Sequence, residues 1–332
     1  MEETPDAAGS AARVASLQAR IEDALTTLVP EQEPPDLYEP VRYVLDGGGK
    51  RLRPLLVLLA AEAYGVPPDR AMPAALAVEV FHNFTLVHDD IMDHAATRRG
   101  RPTVHVRWDE STAILCGDYL LALAYDLLAS TESPRLGPIV RRFHRMVAHL
   151  CEGQTLDKAF ETRPEVTVVD YLHMIDRKTA ALLEVSLELG GLLGGAGPEA
   201  LEALQTMGRH MGRAFQIQDD LLDLVADDAR WGKTIGGDLI EGKKTYLLLR
   251  TLERATGAER DWFARIVQEG GLPAGDVPEA RARMEALGIL DEARREVHRY
   301  TAAAIDTLQT LPDGPSRHAL RWLLDRMQRR AH

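Results

Sequence analysis

Two short stretches hold most of the chemistry this sequence offers. His88-Asp89-Asp90-Ile91-Met92-Asp93 and Gln216-Ile217-Gln218-Asp219-Asp220-Leu221-Leu222-Asp223 each place carboxylates at i and i+4. On a helix such a pair projects from one face, about a turn apart. The same DDxxD pattern thus occurs twice, at Asp89 to Asp93 and at Asp219 to Asp223. Each copy closes an apolar, helix-like run, where like charges repel and the negative end of the helix dipole disfavours anions. Carboxylates put where they cost stability call for a cation. A solvated acidic face is the simpler explanation of one DDxxD, but two copies in apolar settings favour a metal. Hard oxygen donors with no His or Cys beside them in ligand spacing suit Mg²⁺, whose coordination is typically completed by water and substrate phosphates.

Cationic residues accompany both motifs. Gly48-Gly49-Lys50-Arg51-Leu52-Arg53-Pro54 is a turn leading into a helix with three cations beside backbone donors. It is not a Walker A loop, because Arg51 rather than Ser or Thr follows Lys50; a helix end followed by surface charge is its plain alternative. Arg98-Arg99-Gly100-Arg101 follows the first motif, and Arg pairs suit bidentate phosphate contacts. Lys178-Thr179 sits in an apolar run where an uncompensated ammonium is costly, and Lys233 and Lys243-Lys244 follow the second motif. The combination describes a site for two anionic groups, one held through Mg²⁺ and one held directly.

The elements that must position these groups read as helices. Aromatic content is 5%, and apolar residues return every three or four positions nearly throughout. Helices are expected over 12–28, 37–45, 53–64, 71–93, 110–130, 136–161, 168–193, 198–225, 243–254, 259–268, 278–287, 290–308 and 317–330. Leu55 to Ala61 and Ala181 to Leu193 are apolar on more than one face, which suits the middle of a bundle. With no fixed-period repeat and no long linker, the chain is expected to be a single all-α domain over 1–332, one large helical bundle. Residues 1–12 are expected to be a flexible N-terminus, and 255–276 a surface excursion.

Composition bounds the function. The 332 residues carry 39 Lys and Arg against 51 Asp and Glu, a net charge of −12, with 45% hydrophobic and 27% charged residues. That is ordinary globular composition, and the sign argues against a nucleic-acid binder or a protein held on anionic lipid. The two cysteines, Cys116 and Cys151, read as reduced core thiols. The acidic start of the chain lacks the features of a signal peptide, and the apolar run Pro54 to Ala61 is too short to span a bilayer. A cytoplasmic protein without stable membrane insertion is expected.

Taken together, the blocks GGGKRLRP, VEVFHNFTLVHDDIMDHAATRRGRPTVH, RKTAALLEVSLELGG, FQIQDDLLDL and GKTIGGDLIEGKKT, spanning Gly47 to Thr245 in order, resemble the trans-isoprenyl diphosphate (polyprenyl) synthases. The resemblance implies an all-α bundle, the isoprenoid synthase fold, usually a homodimer, with the two Asp-rich helices facing each other across a deep central cavity. It implies that Asp89, Asp93 and Asp219 ligate Mg²⁺ bridging an allylic diphosphate, three ions per active site, with Asp90, Asp220 and Asp223 in support. Arg98, Lys178 and Lys233 would touch that diphosphate. Lys50, Arg53, His82 and Arg99 would hold isopentenyl diphosphate, with Gly49 and Arg51 flanking that pocket. Lys178, Thr179 and Gln216 would face the allylic cation. The implied reaction is head-to-tail condensation of the two diphosphates, short-chain and all-trans.

Product length is set by depth below the metals. Phe84 lies five residues before Asp89 and Thr85 four before it, and five helical residues rise by roughly 7.5 Å. A phenyl ring there would form a floor for the growing chain; one more core aromatic is the bland alternative. In the resembling family a single aromatic at the earlier position goes with the geranylgeranyl type, so a C20 product is expected, with C15 next. Phe81, a turn further down, would add a second barrier. Three other readings remain, one of them a non-catalytic helical interaction protein, which would show no Mg²⁺-dependent consumption of isopentenyl diphosphate. A class I terpene cyclase shares an Asp-rich helix but needs no second anion pocket. An HD-type phosphohydrolase would use His88-Asp89 with further histidines, for which His82, His94 and His105 are available, but leaves Asp219 to Asp223 without a role.

Overall fold

The computed structural model describes residues 7–226 and 235–328. Lys233 therefore lies outside the described residues, as do Arg329 and Arg330. The chain divides into two compact units, each assembled from separate stretches. The first comprises Met1–His144, Leu182–Gln205 and Leu308–Trp322; the second comprises Arg145–Ala181, Thr206–Thr307 and Leu323–His332.

In the first unit, α1 (Ala7–Thr26) buries Val14, Leu17, Ile21 and Leu25, a one-face pattern at helical spacing. The helix begins at Ala7, so the expected flexible segment is helical from that residue on. Next come α2 (Pro35–Leu45) and α3 (Leu52–Ala63), in which every residue from Pro54 to Ala61 is buried, as expected of a central helix. The long α4 (Pro68–Met92) carries the first aspartate motif at its end, with Asp93 as its C-cap. A two-residue antiparallel pair, β1 (Thr97–Arg98) and β2 (Arg101–Pro102), folds the arginine segment back on itself. Two residues per strand leave no periodicity to read, which is why the sequence did not announce it. After the short α5 (Val104–Arg107), α6 (Glu110–Ala129) packs on α4 and α2. Asp109 caps it by accepting from the Thr112 N–H at 2.9 Å.

Among the described residues four helices are divided between the units: α7 (Leu136–Thr162), α9 (Ala181–Leu193), α10 (Pro198–Val225) and α16 (Pro315–Gln328). In the second unit, α8 (Val168–Ile175) starts with a capping box between Thr167 and Asp170. The chain then passes through a π turn (Asp176–Ala180) into α9, which belongs to the first unit from Leu182 on. The expected single helix over 168–193 is thus interrupted, because the π turn adds a residue without breaking the apolar pattern. Following α11 (Gly237–Ile240) are α12 (Tyr246–Arg254), α13 (Gly257–Glu269), α14 (Val277–Ala286) and α15 (Ile289–Thr307). The stretch 255–276 contains α13 with Phe263 and Ile266 buried, so it is anchored rather than a loose excursion.

The cysteines differ from expectation. Cys116 is fully buried on α6, and burial pushes its thiol up to about 12. Cys151 is exposed, not a core thiol; it falls on the outward side of α7, where the adjacent Glu152 is also exposed.

Candidate active site

In the first unit the glycine turn, the arginine pair and α4 build one cationic site. Arg51, at the N-cap of α3, takes a left-handed backbone, φ 47° and ψ 36°, a conformation non-glycine residues adopt only when surroundings enforce it. Its guanidinium is the enforcement. Although nearly inaccessible, it donates to Glu79 at 2.8 Å, to Glu22 at 2.8 Å and 3.0 Å, and to the Leu45 carbonyl at 3.0 Å. Burial alone would lower the Arg51 pKa, but the hydrogen bonds and charges of Glu22 and Glu79 raise it on balance. Neither glutamate was singled out from the sequence: Glu22 sits beside Asp23 on α1, and Glu79 lies in the block that begins at Val78 with no carboxylate at helical spacing to mark it.

Two residues on, Arg53 donates to His82 Nε2 at 3.1 Å. The guanidinium is always protonated, so Nε2 accepts and the ring is neutral. Burial, followed by the charges of Arg53, Arg99, Arg98 and Arg51, holds His82 well below its ordinary value. Burial also draws Arg53 down to about 10, opposed by Glu79 and reinforced by Arg99, and its buried Nε has no hydrogen-bond partner. Arg99, again left-handed at φ 53°, donates to the Gly48 carbonyl, so the glycine turn and the arginine pair meet. Concentrated positive charge with an orphaned buried donor is what a diphosphate would satisfy. Lys50 is exposed beside them on the same turn.

Arg98 donates to Asp90 at 2.8 Å through Nε and 2.7 Å through Nη2, so its charge is compensated by the middle carboxylate of the first motif. A cleft adjoins this pair, lined by Tyr43, Asn83, Asp90, Arg98, Arg99 and Arg101 among others. Below the motif, Phe84 packs between His88, edge-on at a centroid distance of 4.7 Å, and the fully buried Phe81, tilted at 5.3 Å. Phe81 in turn meets Phe143 edge-on at 5.3 Å. Thr85 is buried and donates to the His82 carbonyl at 2.8 Å.

The second unit gathers the remaining groups around the other motif. Thr179 donates to Gln216 at 3.1 Å, Gln216 donates to Asp220 at 3.1 Å, and Asp220 also accepts from the Tyr171 hydroxyl at 2.6 Å and the Tyr246 N–H at 3.0 Å. Tyr171 is thus a supporting residue that sequence reading missed; only its place on an apolar helix face was visible. Asp223 accepts from the Asp238 N–H at 3.1 Å. Burial raises both Asp220 and Asp238 above the ordinary carboxylate range, and neighbouring aspartates add to the shift. The ammonium of Lys178 is paired with Asp157 at 2.5 Å, which answers the cost of placing it in an apolar run. Lys243 pairs with Glu241 at 2.8 Å, and Lys244 donates to the Phe160 carbonyl.

Among the described residues no group of three or more His, Cys, Asp or Glu converges as a ready metal cage. The donor set nevertheless fits Mg²⁺: hard carboxylate oxygens, whose charged form is disfavoured in the second unit by burial and then by neighbouring aspartates, are what a dication relieves. Among the described residues the histidines do not form a competing metal set. His82 is committed to Arg53 and His88 packs on Phe84.

Residues 34–284 match the polyprenyl synthetase family. The chain belongs to that family. It is 39% identical to a geranylgeranyl diphosphate synthase of Methanosarcina mazei over 93% of this chain and 94% of that one. A (2E,6E)-farnesyl diphosphate synthase of Mycobacterium bovis is 40% identical over 83% of this chain and 78% of its own length. The crystal structure of a geranylgeranyl pyrophosphate synthetase from Pyrococcus horikoshii superimposes with a TM-score of 0.89 at 38% identity, covering 95% of this polyprenyl synthetase and 97% of that chain. The expected all-α fold and synthase family are therefore those of this protein, and nothing among these likenesses favours a cyclase or a phosphohydrolase.

Proposed function

We propose that this polyprenyl synthetase condenses isopentenyl diphosphate head-to-tail with an allylic diphosphate to give a short-chain, all-trans prenyl diphosphate, C20 before C15. The observation that carries it is the pair of charge environments. One unit offers the cationic Arg53, Arg99 and His82 cluster, with the Arg53 Nε left without a partner, for a diphosphate held without metal, and each unit offers an aspartate motif for a diphosphate held through Mg²⁺.

When bound, Mg²⁺, three ions in this reading, supplies charge neutralisation on the departing diphosphate. Asp89, Asp93 and Asp219 would hold it, with Asp90, Asp220 and Asp223 behind them. Arg98, Lys178 and Lys233 contact the allylic diphosphate and stabilise the charge as it develops. Lys50, Arg53, Arg99 and neutral His82 hold isopentenyl diphosphate with its double bond toward the allylic carbon. The Thr179 and Gln216 oxygens face the cation, and the reaction requires that water, which would trap it as an alcohol, be kept out. Phe84, backed by Phe81, stops the growing chain. One reaction draws on both motifs, so the chain acts as a single functional domain.

The protein acts as a cytoplasmic homodimer in this reading. α6 is the one described helix long and apolar enough, by length and composition, to cross a membrane, and 33% of that window is buried. Its exposed side carries Ile114 and Leu115 but also Asp118 and Asp126, carboxylates that a bilayer interior would penalise. A second copy covering the apolar patch accounts for both. To test the activity, the protein is incubated with isopentenyl diphosphate, Mg²⁺ and dimethylallyl, geranyl or farnesyl diphosphate in turn, with products identified by mass. Elongation of at least one primer to C15 or C20 is expected, and failure with all three by folded, metal-loaded protein would overturn the reading.

A further inference from the structure

We propose that Gly153 on α7 and Gly212 on α10 are positioning residues for the reaction: they let both helices close onto the main chain of the π turn Asp176–Ala180 and so fix Lys178 and Thr179. This rests on the reading of Lys178 and Thr179 as groups that face the allylic substrate.

A π turn is uncommon and survives where neighbours or function stabilise it. Here the neighbours are backbone. A Cβ built on Gly153 would lie 2.4 Å from the Lys178 amide nitrogen and 2.8 Å from the Lys178 Cα and the Arg177 carbonyl carbon. A Cβ on Gly212 would lie 2.4 Å from the Ala180 Cβ and 2.5 Å from its Cα. No rotamer change relieves overlaps with main-chain atoms. The two helices that approach so closely also anchor the turn residue by residue. Arg213 donates to both oxygens of Asp176 at 2.7 Å and 2.6 Å, Glu152 accepts from Arg177 at 2.9 Å, Asp157 pairs with Lys178 at 2.5 Å, and Gln216 accepts from Thr179 at 3.1 Å. Glu152 and Arg213 adjoin the two glycines in sequence, so close approach and anchoring are one device.

The device has a geometric consequence. Successive residues of an α-helix are rotated by about 100°, so the extra residue of a π turn resets the direction of every side chain after it. Lys178 and Thr179 point where they do because the widened turn is held from two sides. Pushing either helix away moves both side chains together, and a displacement of about 1 Å at a reacting centre costs on the order of 100-fold in rate.

The test compares Gly153→Ala, Gly212→Ala, Arg213→Lys and Lys178→Ala in the full-length protein, with folding followed by circular dichroism and thermal unfolding. For the folded glycine variants, kcat is expected to fall about 10- to 100-fold, while KM for isopentenyl diphosphate stays within about two-fold of the parent, because that substrate is held in the other unit. Arg213→Lys, which loosens one anchor without overlap, is expected to lower kcat in the same selective way. Lys178→Ala turning over normally would overturn the underlying assignment of that lysine. An inactive Lys178→Ala beside glycine variants with parental kcat would overturn the clamp alone. So would a rise in KM for isopentenyl diphosphate matching the fall in kcat, which is the mark of general disruption. Should the glycine variants not fold, an unchanged kcat in Arg213→Lys overturns the proposal.

Discussion

Phe84 and His82 lie two residues apart on α4 and answer to different physics. Phe84 packs edge-on against His88 and at a tilt against Phe81, and removing its ring opens space below the first motif while Phe81, held by Phe143, stays in place. Phe84→Ala is expected to shift the products to longer chains, read by mass spectrometry; an unchanged profile would discard the floor assignment. His82 is held neutral by burial and four arginines, with a folded pKa well below 6.5. The unfolded chain takes up a proton near 6.5 while the folded one does not. This group's contribution to stability is therefore complete above that value and is lost as pH falls through it toward the folded pKa. Urea midpoints measured from pH 7.5 down to 5.5 should decline, and His82→Gln should decline less steeply. Equal slopes would show that His82 is not the group responsible.

At the scale of elements, the turn into α3 depends on a brace that no motif advertises. Arg51 holds a left-handed backbone because Glu22 of α1 and Glu79 of α4 grip its side chain from two directions. The Arg51 and Glu79 side chains are 1% and 3% exposed, a setting in which removing one partner typically costs about 3–5 kcal/mol. Glu79→Gln keeps the shape and removes the charge. It is expected to lower the unfolding temperature and to raise KM for isopentenyl diphosphate roughly ten-fold, about 1.4 kcal/mol, with KM for the allylic substrate little changed. Equal rises in both constants would mean that the brace serves the whole molecule rather than the Lys50 to Arg53 turn.

For the whole molecule, the prediction concerns cooperation. Asp89 and Asp219 belong to different compact units, yet the proposed reaction needs both. Asp89→Ala and Asp219→Ala are each expected to lose at least about 1,000-fold in kcat, and the double variant little more than the worse single one, since groups acting as a unit are not additive. Multiplicative losses would argue for two independent roles. Association is tested on α6: Leu115→Glu, at a position 59% exposed, should convert a dimer into a monomer by light scattering, because a carboxylate buried without a partner opposes docking. A dimer surviving that change would move the interface elsewhere.

The sequence by itself determined the helical class, the family and the identity of the chemical groups. Helical periodicity and short motifs are local properties, and Asp89 to Asp93, Asp219 to Asp223 and Lys50 to Arg53 are each contained in a few residues. Only the tertiary structure decided what those groups touch. Asp157 lies 21 residues from Lys178, Tyr171 lies 49 from Asp220, and Glu79 lies 28 from Arg51, separations at which no spacing rule operates. The π turn, the left-handed Arg51 and the outward Cys151 were hidden for the same reason. Each follows from what packs against it, and a side chain's burial and charge state are properties of its neighbours rather than of its own letter.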